Sequence, residues 1–241
     1  MSTIPGHVVD RIRRRRPEGW SIVVGSTPVI SFGPARSARV ATLGLNPSKQ
    51  EFLDRTGAEL VEQSRRFQTL RSLGVADLDA APENLIDRVV TACDRYFSVN
   101  PYRAWFNQLE PILNGVGTSY YDGTSCHLDL VQWATDPTWG GLSDAIKRHH
   151  VSSDVPFLRS QLADSRLELL LLNGKAVMDA FSEFVKPLGS IHMHGSTRFG
   201  TADLDDVRVI GWSTNIQSSY GVTVDVRRSI ASHAADLASS G

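Results

Sequence analysis

Cysteine is nearly absent from this chain: Cys93 and Cys126 are the two it has. Two thiols are too few for a four-thiolate iron–sulfur or zinc site, and they imply no structural disulfide. Long apolar runs are missing as well. The longest aliphatic one, Leu169 to Leu172, falls far short of the roughly 20 residues that span a bilayer. Neither sign of charge dominates, since 25 Lys and Arg against 26 Asp and Glu give a formal net charge of −1. That excludes a global positive field, so any nucleic-acid surface has to be a local patch. The N-terminus is polar and then basic, without an apolar signal-type segment. The expected location is therefore the cytoplasm, with no membrane partner. No repeat and no low-complexity tract is present. What remains is ordinary for a globular chain, with 41% hydrophobic and 21% charged residues over 241 positions.

Hydrophobic patterning supplies the elements. "RIRRRR" near the N-terminus is either a basic arm or the polar face of a short helix, and "SIVVGSTPVISFG" (21–33) behind it reads as two short strands around a turn, a hairpin. "ARVATLGL" (38–45), "SCHLDLVQW" (125–133), "RLELLLLNG" (166–174) and "VRVIGWST" (207–214) read as strands. Gln50 to Ser72 is polar, helical or partly loop. Helices are expected over 82–97 and 101–116, each opened by a proline, over 141–150 and 154–163, after Gly174, and at the C-terminus. Strands alternating with helices predict an α/β fold, a three-layer α/β/α sandwich around a mostly parallel sheet of four strands. In such folds sites lie beyond the carboxyl ends of strands, which directs attention to Asn46, Asp129, Asn173-Gly174 and Asn215.

Gly44-Leu45-Asn46-Pro47-Ser48 ends the first of these strands. Pro47 biases Asn46 toward an extended backbone, so its amide is aimed; plain turn chemistry gives the same residues. Trp212 to Gly221 follows the last strand as a short polar loop opening onto a helix. Together the two loops are Asn-bearing strand tips, one near each end of an alternating chain.

On these motifs the sequence resembles the uracil-DNA glycosylase superfamily, and its Asn-type, mismatch-glycosylase-like branch more than the uracil-specific one. "GLNPS" is similar to the family's first motif and "STNIQSSYG" to its second, with Ile216 where the family usually has Pro. "YRAWFNQLEPIL" and "LELLLLNGKAV" fit its helix after the first motif and its third strand. The likeness covers roughly residues 38–237 of a single expected domain, 1–241, with 1–37 as basic arm and hairpin. It implies a monofunctional DNA glycosylase without metal or cofactor, acting as a monomer on DNA. A flipped base would enter a pocket, Asn46 would position water, and Asn215 would hydrogen-bond the departing base at O2.

Two departures bear on which base. Ser48, small, stands where the uracil-specific branch has a Tyr that closes the pocket at C5. Asp129 stands where the uracil-excising branch has an Asn that reads O4 and N3–H. As a carboxylate it only accepts, which suits the N4 amino group of cytosine and repels uracil O4. The expected substrate is a cytosine-like base with a C5 substituent, as in some viral DNA. Excision would then be antiviral defence, whereas a uracil or thymine mismatch would make it repair, and a catalytically inactive DNA-binding relative is the third reading. Asp129 is equally a strand-end cap. Phe52 and Phe67 are both candidates to stack on the base. Lys175, Ser218, Ser219 and Tyr220 are the candidates for DNA contact, Lys175 at a phosphate and Tyr220 as a wedge in the space the base leaves. Arg13 to Arg16 read as a solvated arm or a phosphate grip. His192 and His194 alternate on one side of a strand without a third ligand evident in sequence.

Overall fold

The computed structural model describes residues 3–217 and 222–239. In chain order the elements are α1 (Gly6–Arg13), β1 (Val40–Gly44), α2 (Leu70–Leu73), α3 (Glu83–Asp94), α4 (Tyr96–Val99), α5 (Arg103–Phe106), α6 (Glu110–Gly115), β2 (Ser125–Asp129), α7 (Asp144–Ala163), β3 (Leu169–Asn173), α8 (Lys175–Phe184), β4 (Gly189–His194), β5 (Thr197–Leu204), β6 (Val207–Trp212) and α9 (Val224–Ser239). They belong to two compact units. One comprises Met1–Gly33, Leu45–Pro101 and Asp129–Gln161, the other Pro34–Gly44, Tyr102–Leu128 and Leu162–Gly241.

The second unit is built on the sheet, whose strand order is β2-β1-β3-β6-β5-β4. Leu169–Leu172 pairs in parallel with Val40–Leu43 on one side and with Arg208–Gly211 on the other. Helices cover both faces there. Gly211 faces α8, where an added Cβ would lie 3.0 Å from Met178. The adjacent residue points the other way. On that side Phe199, in register with Trp212, packs on His233 of α9 with ring centroids 4.6 Å apart.

The fold is α/β, as the alternation predicts, but the sheet has six strands rather than four and is mixed. The added strands, β4 and β5, run antiparallel beyond β6. β4 sits at the sheet edge with Ile191 and Met193 exposed. Its alternation is inverted, with Ile191 and Met193 facing outward while His192 and His194 turn to His233 and Ser229 of α9, so the polar residues lie on the packed side.

Four further expectations change. The segment 101–116 is not one helix: Pro111 in the first turn of α6 has no N–H to continue a ladder from α5, so the helix restarts. The segments 141–150 and 154–163 join into one helix, α7, with Pro156 inside it. In the first unit, 21–33 does not pair with itself. Its partner is the chain after β2, through Val23 N–H to Ala134 O at 2.9 Å and Val29 N–H to Gln132 O at 2.8 Å. Nor is the N-terminus a solvated arm: α1 docks through Ile12 and a fully buried Arg11.

The first unit carries an aromatic core. Tyr96 stacks on Phe67 at 5.0 Å and meets Phe32 edge-on at 4.8 Å, and Phe52 lies 5.8 Å from Phe67. Cys93 and Cys126 are buried free thiols.

Candidate functional site

Strand β1 is buried until Gly44 and delivers Asn46 half-buried at its tip. Three acceptors hold the Asn46 amide nitrogen. Nδ2 donates to Trp133 O, Thr135 Oγ1 and Pro47 O, each at 3.1 Å. Among the described residues nothing donates to Asn46 Oδ1, so a rigidly held amide presents a carbonyl oxygen. Ser48 caps the following 3₁₀ turn, Lys49–Glu51, through Gln50 N–H to its Oγ at 3.2 Å, and is itself exposed. Phe52 and Phe67 are both 2% exposed within the aromatic core.

The same turn contains a residue that sequence reasoning missed. Glu51 is 3% exposed. Its Oε2 accepts from the Tyr96 hydroxyl at 2.9 Å and lies 3.9 Å from Arg66 Nη1. Arg66 donates elsewhere, to Gln50 O at 2.6 Å and Asn100 O at 3.2 Å. Burial pushes the Glu51 carboxyl up to about 7; Arg66 and the Tyr96 hydroxyl pull the other way, and the charge of Asp129 pushes it further up. Asp129, at the end of β2, is itself 5% exposed, and its backbone carbonyl accepts from Gln132 Nε2 at 2.8 Å. The signal available in sequence was an acid one turn beyond the Asn-Pro tip and next to Phe52. In a polar stretch it passes for a surface residue.

The raised value couples Glu51 to stability. A carboxyl that titrates near 7 when folded and near 4.5 when unfolded binds more protons in the native state between those values. Stability should therefore fall as pH rises from about 4.5 to about 7, by on the order of 3 kcal/mol. Glu51→Gln should remove that slope, which urea titrations at pH 5 and pH 8 would measure.

In the second unit the organiser of the last loop is Asn173, at the end of β3. Its Nδ2 donates to Asn215 Oδ1 at 3.0 Å and Gln217 Oε1 at 2.8 Å, and its Oδ1 accepts from Trp212 Nε1 at 2.9 Å and Ile216 N–H at 3.1 Å. All four hydrogen-bonding positions of the amide are used. The bond from Ile216 N–H is one that a proline at 216 could not make. Asn215 is exposed, and its Oδ1 accepts a second bond from Gln217 N–H at 3.0 Å. Its Nδ2 donates to no described residue, so a donor is what this loop presents.

Gly174 allows the arrangement. Its φ is +99°, and a Cβ there would lie 3.2 Å from Asn215 Cβ. Gly174→Ala should cost about 1–3 kcal/mol from backbone strain and crowding, readable as a lowered urea midpoint. Lys175 begins α8, but its N–H donates to Ser213 O at 2.9 Å and its ammonium pairs with Asp179. The residue remains a surface cation whose charge is already shared. Ser218, Ser219 and Tyr220 lie outside the described residues.

The remaining candidates are structural in their contacts. Arg13 donates twice to Ala81 O and Arg14 pairs with Asp154. His192 and His194 share a face with His233: His192 Nε2 lies 2.8 Å from His233 Nε2, and the His194 ring stacks on that of His233 at 4.3 Å. Among the described residues no group of three or more His, Cys, Asp or Glu is arranged to hold a metal ion, and no helix is long and apolar enough to cross a membrane. Arg65, Arg66, Arg88 and Arg95 line one depression beside Phe67 in the first unit, with Glu62 and Asp87. Compared with known proteins, the chain matches no protein-family profile and no curated sequence.

Proposed function

We propose that the protein is a DNA glycosylase that hydrolyses the N-glycosidic bond of a flipped, C5-substituted cytosine-like base and leaves an abasic site. The observation that carries the reading is the tethering of Asn46. A strand tip that spends three acceptors on one amide nitrogen fixes the carbonyl oxygen in place, and a fixed acceptor can hold water in line for attack at C1′. Cleavage develops positive charge on the sugar and negative charge on the base. Asn215, with its Oδ1 engaged and its Nδ2 left to donate, has the polarity needed at the base O2. Asp129 accepts from the N4 amino group, and Ser48 leaves space at C5. The arginine-lined depression supplies the local positive charge that a chain of net charge −1 needs to meet DNA. Ordinary cytosine has to be rejected, so the C5 substituent provides the discrimination, and antiviral defence against modified DNA is the role that fits. The protein works as a monomer in the cytoplasm, with neither metal nor cofactor.

Duplexes carrying uracil, a thymine–guanine mismatch, cytosine or a C5-substituted cytosine, treated with alkali after incubation, test this. Strand breaks are expected for the substituted cytosine alone. Breaks fastest at uracil would overturn the role given to Asp129 and favour mismatch repair. DNA binding without breaks on any duplex would make the protein a binding relative.

A further inference from the structure

Resting on the glycosylase reading, we propose that Glu51 is a further catalytic residue, the general acid that protonates the departing base as the glycosidic bond breaks.

Its placement is tied to the strand tip. Glu51 N–H donates to Ser48 O at 3.0 Å, so the 3₁₀ turn fixes the residue relative to Pro47 and Asn46. Its carboxyl is buried, yet only Oε2 is engaged, by the Tyr96 hydroxyl and the more distant Arg66. Among the described residues no group hydrogen-bonds Oε1, which leaves that oxygen for a ligand. As a structural element the group is a poor choice. Arg66 lies 3.9 Å from Oε2 while donating to the carbonyls of Gln50 and Asn100, and burying a carboxyl beside so distant a cation is unfavourable.

The charged and titratable groups around it are Arg66 from the loop before α2, Tyr96 from α4 and Asp129 from the end of β2. Burial and the Asp129 charge together hold the Glu51 carboxyl at about 7, so near neutral pH it carries a proton in about half the molecules.

The base edge asks for this pairing. Cytosine offers a donor at N4 and, beside it, an acceptor at N3. An ionised carboxylate takes the first and a protonated carboxyl serves the second. Cytosine is a poor leaving group as an anion, and protonation at N3 lets it depart neutral. The C1′–N1 bond breaks with its electron pair going to the base, while the Glu51 proton moves to N3. Water held by Asn46 adds to C1′ and returns one proton to the Glu51 carboxylate. The products are free base and the C1′ hydroxyl of an abasic site, and Glu51 ends as it began.

Single-turnover base release from the cleaved C5-substituted duplex, measured from pH 5 to pH 9 for wild type, Glu51→Gln and Tyr96→Phe, tests this. The wild-type rate should fall as pH rises through about 7. Glu51→Gln should be about 10²-fold slower or more at pH 6 and flat with pH, with unchanged affinity for a duplex containing an abasic analogue. Tyr96→Phe removes a donor that favours the ionised carboxyl, so its falling limb should move to higher pH. A Glu51→Gln protein that keeps the wild-type limb overturns the proposal. So does a Tyr96→Phe limb that stays in place, and that variant decides the matter if Glu51→Gln does not fold. Failure here with an active wild type leaves the glycosylase reading standing. A wild type that releases no base from any duplex removes both.

Discussion

Replacing Asp154 by alanine should destabilise the protein by about 3–5 kcal/mol, the cost of leaving a buried charge without its partner. Asp154 on α7 is buried and satisfies three groups at once. Arg11 Nη2 donates to Oδ2 and Arg14 Nη1 to Oδ1, both at 3.0 Å, and Gln132 N–H reaches Oδ2 at 3.1 Å. Arg11 is the more constrained partner. Its guanidinium is wholly buried, its Nε donates to Gln132 Oε1 at 3.1 Å, and it lies 4.9 Å from the Trp133 ring. Burial lowers the Arg11 value to about 10 even with Asp154 opposing the shift. Without the carboxylate no opposite charge would offset that desolvation. Urea unfolding at pH 7 would measure the loss, and a cost under 1 kcal/mol would contradict the account. The double replacement Arg11→Met with Asp154→Leu should recover most of the loss, because an apolar pair asks for no compensation.

The second large effect is on chemistry. Asn46→Ala should slow base release by about 10²-fold or more, the penalty for losing control over the attacking water. The substitution also leaves Trp133 O and Thr135 Oγ1 short of a donor, at a cost of about 1–3 kcal/mol in stability. The two consequences separate by temperature. A tether that only shapes the turn would lose activity in step with folding. A residue that holds water would lose it well below the melting temperature, while affinity for the substrate duplex stays within a few-fold. Asn46→Asp should not restore the rate, because a carboxylate oxygen at the position of Nδ2 would face the carbonyl oxygens of Trp133 and Pro47 at 3.1 Å.

The sequence made the parallel centre of the sheet legible, and the physics explains why. β1, β3 and β6 are short, largely buried strands with mostly apolar side chains on both faces. Their carboxyl ends, in an α/β fold, led to Asn46 and Asn215 and to the Asn173 amide between them in sequence. Of the β4–β5 hairpin only the His192–His194 alternation was legible, because an edge strand with polar residues on its packed side offers no buried apolar face. A short helix is one of two readings of the arginine run, but the burial of Arg11 escaped, because only its partner Asp154, 143 positions away, makes it a buried residue. Glu51 escaped for a related reason. Its partner Tyr96 lies 45 positions away, and no local periodicity links the two, so an acid in a polar stretch gave no sign that it is buried beside an aromatic core.

Mass spectrometry of the base set free from DNA bearing C5-substituted cytosines tests the central claim most directly. The account predicts an intact substituted cytosine in the supernatant, one abasic site for each base released, and little or no product from unmodified DNA. Free uracil as the principal product, or no free base from any DNA that the protein binds, would contradict it.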